Sequence, residues 1–422
     1  MHSTIRLNHN LLAVELDHTV HVMIELDAPE APDHHDRPPL KLALVIDRSA
    51  SMAGEKLEVT KACAAYLVRR MASTDELAIV TYDDTVDLVA SLAPVNPASL
   101  LSAIAAIGPG GSTNLSGGWL KGLEVLSGST HGGCADSTRR VLLLTDGQAN
   151  VGITEPASLV GMATTARGDG VGTTTIGFGG DFAEELLTAM SDGGGGNAHF
   201  APTPDAAPTI FAEEFEGLAR VVAQNISVEI RPSGDVALVE FLNRYPATAV
   251  AGGVQFALGD AYGEERRIVV FTLHVPALAA LGVAKVADVV LRYVSVGNQI
   301  AAHEVTLPVT VNVVSGTEAA QAEADHAVVD EVVVLKAAQA RDDARRLAGQ
   351  GDFTGGQAVL RASAVELRLT AQGSSKADEL LAEAALLDDT SALLAPSSYD
   401  GFTQKRLHYE SWQARRKRDP GR

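Results

Sequence analysis

Between Leu40 and Pro202, short unbroken apolar runs alternate with stretches of helical period, and this alternation restricts the fold more than any other feature of the chain. LALVI and VLLL are too continuously apolar for strands with one wet face, so they suit strands covered by helices on both sides. The predicted strands are KLALVID, ELAIVTYD, TVDLVASL, RRVLLLTD, VGTTTIGFG and NAHFAP, with helices beginning near Gly54, Pro97, Asn114, Glu155, Asp181 and Pro204. Strand and helix in turn give an α/β architecture with a doubly wound, mostly parallel sheet. On either side the period changes. In TVHVMIEL, Val20, Val22, Ile24 and Leu26 share one face, with Thr19, His21 and Glu25 on the other. From Ile226 the strand-like runs are separated by Gly, Pro and Asp turns, which predicts an antiparallel β-sandwich. The expected organisation is 1–38, strands joining that sandwich; 39–222, the inserted α/β domain; 223–316, the sandwich; 317–395, a C-terminal helical hairpin or bundle; and 396–422, a basic tail.

Five oxygen-bearing side chains fall where α/β strands end and loops begin. Asp47, Ser49 and Ser51 lie in LALVIDRSASM, Thr113 in GPGGSTNLSGG and Asp146 in VLLLTDGQAN. In a parallel α/β sheet the carboxyl ends of the strands gather at one edge, where ligands bind. Two carboxylates and three hydroxyls there make a hard, all-oxygen donor set, suited to Mg²⁺, Mn²⁺ or Ca²⁺ rather than to zinc or copper. Gly110 and Gly111 are expected to give the Thr113 loop the backbone freedom for close approach. Asn114 is the expected N-cap of the next helix.

The Asp47-x-Ser49-x-Ser51 run, the later Thr113 and the later Asp146 resemble the metal-ion-dependent adhesion site of von Willebrand factor type A domains. Three separated segments agree in order and context over roughly residues 39 to 222. The resemblance implies that the hydroxyls bind the ion directly and that Asp47 and Asp146 coordinate partly through water. It also implies one coordination position left open for a carboxylate from a partner protein. The wider order of strands, type A domain, sandwich and helices resembles bacterial proteins allied to calcium-activated chloride channel regulators and inter-alpha-trypsin inhibitor heavy chains. The function implied is a metal-dependent protein-interaction module, not an enzyme, whose partner supplies an acidic residue. The alternatives are a metal-dependent hydrolase and an accessory subunit of an ATPase or chelatase-type complex. A haloacid-dehalogenase-type phosphatase would need a second aspartate where Ser49 stands, and no GxSxG, HExxH, Walker A or GxGxxG run is present.

With 53 acidic against 33 basic residues the formal charge is −20, which argues against broad binding to nucleic acid or anionic membrane. The start of the chain lacks the blocks of a signal peptide, and no run of about 20 apolar residues offers a membrane span, so a cytoplasmic location is expected. Of two cysteines, Cys63 reads as a buried small hydrophobe and Cys134 as a loop residue. Asp83 and Asp84 read as a strand-end turn, His34 and His35 as solvated linker, and the four glycines from 193 as a flexible loop. The segment KRLHYESWQARRKR is expected to dock on the acidic body of the same molecule or to be disordered, with Tyr409 and Trp412 favouring docking.

Overall fold

The computed structural model describes the chain except residues 32–36, 129–136, 148, 180–181, 297–299, 397–398 and 420–422. Cys134, His34 and His35 lie outside the described residues. Three strands come first: β1 (His2–Leu7), β2 (Leu11–Ala13) and β3 (His18–Asp27). The α/β segment follows with β4 (Leu40–Asp47), α1 (Glu55–Arg70), β5 (Glu76–Tyr82), β6 (Val86–Pro94), α2 (Pro97–Ala105), α3 (Leu115–Ser127), β7 (Thr138–Thr145), α4 (Pro156–Gly168), β8 (Val171–Phe178), α5 (Glu184–Gly193), β9 (Gly195–Ala201) and α6 (Ala207–Leu218). Its sheet runs β6-β5-β4-β7-β8-β9, parallel except for β6 at the edge.

Alternation along β4 explains why this sheet takes helices on both faces. Leu42, Leu44 and Ile46 enter one core with Leu57, Cys63 and Leu67 of α1 and Phe211 and Phe215 of α6. Ala43 and Val45, facing the other way, join Leu115 and Trp119 of α3, Leu159 of α4 and Leu187 of α5. Burial also pushes the Cys63 thiol up to about 11, which leaves it protonated and inert. The four glycines from 193 are not a flexible loop. Gly193 ends α5 and Gly195 and Gly196 open β9, buried so tightly that a Cβ on Gly196 would lie 2.1 Å from the Thr173 carbonyl oxygen.

Seven strands follow: β10 (Val221–Pro232), β11 (Ala237–Phe241), β12 (Ala247–Val250), β13 (Gly253–Tyr262), β14 (Arg266–Val275), β15 (Gly282–Ser295) and β16 (Ala301–Val314). They build two sheets together with the strands that precede the α/β segment. β3 pairs with β14 over ten residues, and β2 pairs with the end of β16. Val20, Val22, Ile24 and Leu26 share one core with Ile226, Val228, Ile230, Val269 and Phe271. The opposite face of β3 is covered rather than wet: Met23 packs with Val328, Val332 and Leu335. Those residues belong to a long helix, α8 (His326–Gly349), which follows the short α7 (Gly316–Ala319). α9 (Phe353–Ala371) and α10 (Ala377–Leu393) pack on it through Ala337, Ala344, Leu360, Leu367, Leu380 and Leu387.

The basic C-terminal segment is structured and docked. It forms α11 (Gly401–Arg416) and a two-residue strand, β17 (Arg418–Asp419), paired with β14. Lys405 pairs with Glu184 at 2.6 Å, Trp412 donates its indole N–H to Asp192 at 3.1 Å and Arg418 pairs with Glu265 at 2.5 Å. His408 on α11 is wholly buried, 3.1 Å from the Thr188 hydroxyl. Burial, and then the nearby Arg244 and Arg345 charges, push its pKa down to about 4. The folded state therefore holds fewer protons there than the unfolded chain. Stability from this group is full above pH 6.5 and is lost as pH falls toward 4, by about 3 kcal/mol. Urea melts from pH 7 to 4 should show this loss, and His408→Asn should flatten the slope. An unchanged slope in that variant would refute the assignment.

Candidate metal site

Register places the predicted site residues side by side before any side chain is considered. Asp47 at the end of β4 pairs with Tyr82 at the end of β5, and Ile46 pairs with Leu144 just before Thr145 and Asp146. Backbone hydrogen bonds then join the loops. The Ala50 N–H donates to the Gly111 carbonyl at 2.9 Å and the Gly110 N–H to the Arg48 carbonyl at 2.6 Å, zipping the Asp47–Ser51 loop to the Thr113 loop. The Asn150 and Val151 N–H groups both reach the Thr113 carbonyl at 3.2 Å, attaching the loop after Asp146.

The side chains converge accordingly. Ser51 Oγ lies 3.2 Å from Ser49 Oγ and donates to Asp146 Oδ1 at 2.7 Å. An added Cβ on Gly147 would lie 3.2 Å from Thr113 Oγ1 and 3.7 Å from Asp47 Oδ2, so these two oxygens flank the same bare Cα. Asp47, Ser49, Thr113 and Asp146 are all buried. All five predicted oxygen donors thus meet at the carboxyl edge of the sheet.

Three contributors were not anticipated from the sequence. The Thr145 hydroxyl donates to Asp47 Oδ2 at 2.6 Å and the Tyr82 phenol to the same oxygen at 3.4 Å. Lys56, on the first turn of α1, pairs its ammonium with Asp146 Oδ2. Strand-end position was the available signal for Tyr82 and Thr145. For Lys56 the sequence carried no such signal. Asp83 and Asp84 do form a turn, and they also support the site. Asp83 accepts from the Gly111 N–H at 3.3 Å and pairs with Arg48 at 3.2 Å. A Cβ on Gly110 would fall 1.7 Å from Asp83 Oδ2 and one on Gly111 2.2 Å from Asp84 Oδ1. Those glycines are therefore required by close approach to the two aspartates rather than by a left-handed backbone. Asn114 caps α3 as expected, its side chain accepting from the Gly117 N–H at 3.0 Å.

The electrostatics suit a positive charge beside Asp47. Burial pushes the Asp47 carboxyl above its ordinary value, with the Asp146 charge adding to the rise against the hydrogen bonds from Ser49 and Thr145. Burial and then Asp47 push the Tyr82 phenol well above its usual range, so it stays a neutral donor. Among the described residues no basic side chain pairs with Asp47. Nor do three or more His, Cys, Asp or Glu side chains gather to hold a metal anywhere among them. The donors here are different in kind, two carboxylates with neutral hydroxyls, and that set fits a hard divalent ion.

A family profile described as von Willebrand factor type A domain matches residues 41–213, which contain the whole site. This segment is a von Willebrand factor type A domain. The type A domain has relatives in several settings. An uncharacterized protein, sll0103, of Synechocystis is 27% identical over 63% of this chain and 64% of its own. Another, YfbK of Escherichia coli, is 32% identical over 46% and 34% respectively. Inter-alpha-trypsin inhibitor heavy chain H3 of Homo sapiens is 30% identical over 36% and 18%. The matches thus span less than two thirds of each relative. Among solved structures, a von Willebrand factor type A protein from Catenulispora acidiphila shares the fold with a TM-score of 0.72 at 16% identity, covering 99% of this chain and 97% of that one. The ArnB paralog VWA2 from Sulfolobus acidocaldarius does so with a TM-score of 0.64 at 16% identity, covering 98% of each chain. No helix among the described residues is long and apolar enough to cross a membrane.

Proposed function

We propose that this chain is a metal-dependent protein-interaction module in which a divalent ion at the type A domain captures a carboxylate of a partner protein. The observation that carries this reading is the convergence of Asp47, Ser49, Ser51, Thr113 and Asp146, with Asp47 buried beside a second carboxylate and paired with no basic group among the described residues. These five residues would hold the ion. Once bound, it would supply a Lewis-acidic centre with a coordination position for an incoming oxygen. Mg²⁺ suits the donor set best, with Mn²⁺ and Ca²⁺ as substitutes of similar hardness.

The same geometry favours binding over catalysis. Among the described residues the five side chains bond to one another and to Thr145, Tyr82 and Lys56, with no histidine or further carboxylate in hydrogen-bond contact to serve as a general base. The experiment is calorimetric titration of Mg²⁺ into the chelator-treated protein, followed by affinity capture from lysate with and without chelator. One-to-one uptake and a chelator-sensitive partner are expected. Failure to take up Mg²⁺, Mn²⁺ or Ca²⁺ would end the proposal. Turnover of a phosphoester that disappears with Asp47→Ala would favour the hydrolase reading instead.

A further inference from the structure

We propose that Lys56 is a built-in competitor of the metal ion, an internal cation that must leave Asp146 before a divalent ion binds fully. This rests on the metal-site reading and concerns how that site is regulated. The ammonium of Lys56 pairs with Asp146 Oδ2, while the other oxygen of the same carboxylate accepts from Ser51, itself a metal-site hydroxyl. A divalent ion drawing on Ser51 and Asp146 would share that carboxylate with a positive charge already in place. Repulsion between the two cations makes their occupancies mutually opposed.

The surroundings allow the lysine to leave. Asp146 is buried, whereas the Lys56 side chain is 28% exposed, so one partner is fixed and the other has a path to solvent. The lysine runs beside the bare backbone of Gly179, where an added Cβ would lie 3.6 Å from both Cε and Nζ. The space into which the ammonium can swing is thus bordered by a residue with no side chain. Without an ion, Lys56 neutralises a buried carboxylate and keeps the site folded. With an ion, it becomes a solvated surface lysine. The arrangement lowers metal affinity while protecting the metal-free protein, so the site fills and empties readily with the free metal concentration.

The test compares Mg²⁺ titration by calorimetry in the full chain with that in Lys56→Met and Lys56→Gln, alongside melting of each protein in chelator and in Mg²⁺. Loss of a charge-assisted hydrogen bond on this carboxylate should tighten Mg²⁺ binding about tenfold or more. Both variants should melt lower than wild type in chelator and recover in Mg²⁺. Lys56→Arg, which keeps the charge, should bind Mg²⁺ no more tightly than wild type. One-to-one uptake with equal or weaker affinity in Lys56→Met and Lys56→Gln would overturn the competitor role and leave the metal site standing. Absence of uptake by every protein would remove the metal site and this role with it.

Discussion

Asp47→Ala is expected to abolish measurable Mg²⁺ uptake and chelator-sensitive partner capture while the protein stays folded. The carboxylate is the hub of the site, accepting from the Ser49 N–H at 2.8 Å, the Thr145 hydroxyl and the Tyr82 phenol. Even groups that only orient a metal's ligands cost about 10–100-fold in affinity when removed, so a carboxylate of the ligand set itself, bound directly or through water, should cost at least that much. Stability should move little and can rise in chelator, because Asp47 is a buried charge beside a second carboxylate. Asp47→Asn separates charge from shape: it keeps the volume and should still lose most of the uptake. Calorimetry with a urea melt on each variant provides the measurement. Uptake within a few-fold of wild type in Asp47→Ala would show that the ion sits elsewhere.

Glu265→Ala should produce the largest loss of stability. Glu265 is 2% exposed and lies between two guanidiniums, 2.8 Å from Arg267 and 2.5 Å from Arg418. Burial alone would raise its pKa, yet those two charges hold it well below the usual carboxylate range. Removing the carboxylate leaves the buried Arg267 and the largely covered Arg418 charges without their shared partner, at a cost of about 3–5 kcal/mol. Because Arg418 forms β17, its release should also free the end of α11. The expected results are a lower urea midpoint and faster proteolysis within residues 401–419. A change under about 1 kcal/mol would mean the pair is already offset by desolvation.

The α/β segment was legible because period and position agree. LALVI and VLLL are buried on both faces, as continuous apolar runs require, and the site residues stand where those strands end. Asp47 and Asp146 were readable individually because each ends an apolar run. Lys56 was not, since a lysine on a helix's first turn usually faces water, and only the three-dimensional pairing with Asp146 distinguishes it. The outward-facing residues of TVHVMIEL were misleading for a related reason. Alternation marks one face as apolar but does not say what covers the other, and here α8 covers it, leaving His21 half-buried with its pKa lowered to about 4 by burial and then by Lys336. The segment 401–416 has too few apolar residues to announce a packed helix. Its docking draws on ion pairs of Lys405 with Glu184 and Arg416 with Asp192, and of Arg418 just beyond it with Glu265, partners some 150 to 220 residues away in sequence.

The chain enters and leaves the type A domain at neighbouring points. The Glu264 N–H donates to the Pro29 carbonyl at 3.0 Å, and the Gly263 N–H to the Arg220 carbonyl at 2.7 Å, so one tight turn grips both crossings. Arg37 and Asp75, joined at 2.7 Å and buried, fasten the incoming strand a few residues later. A body tethered at a single point swivels, whereas one gripped at a doubled hinge and braced by α11 has its heading set. A pull on the carboxyl edge of that domain would therefore reach the neighbouring sheets as well, where a bead on a string would merely turn.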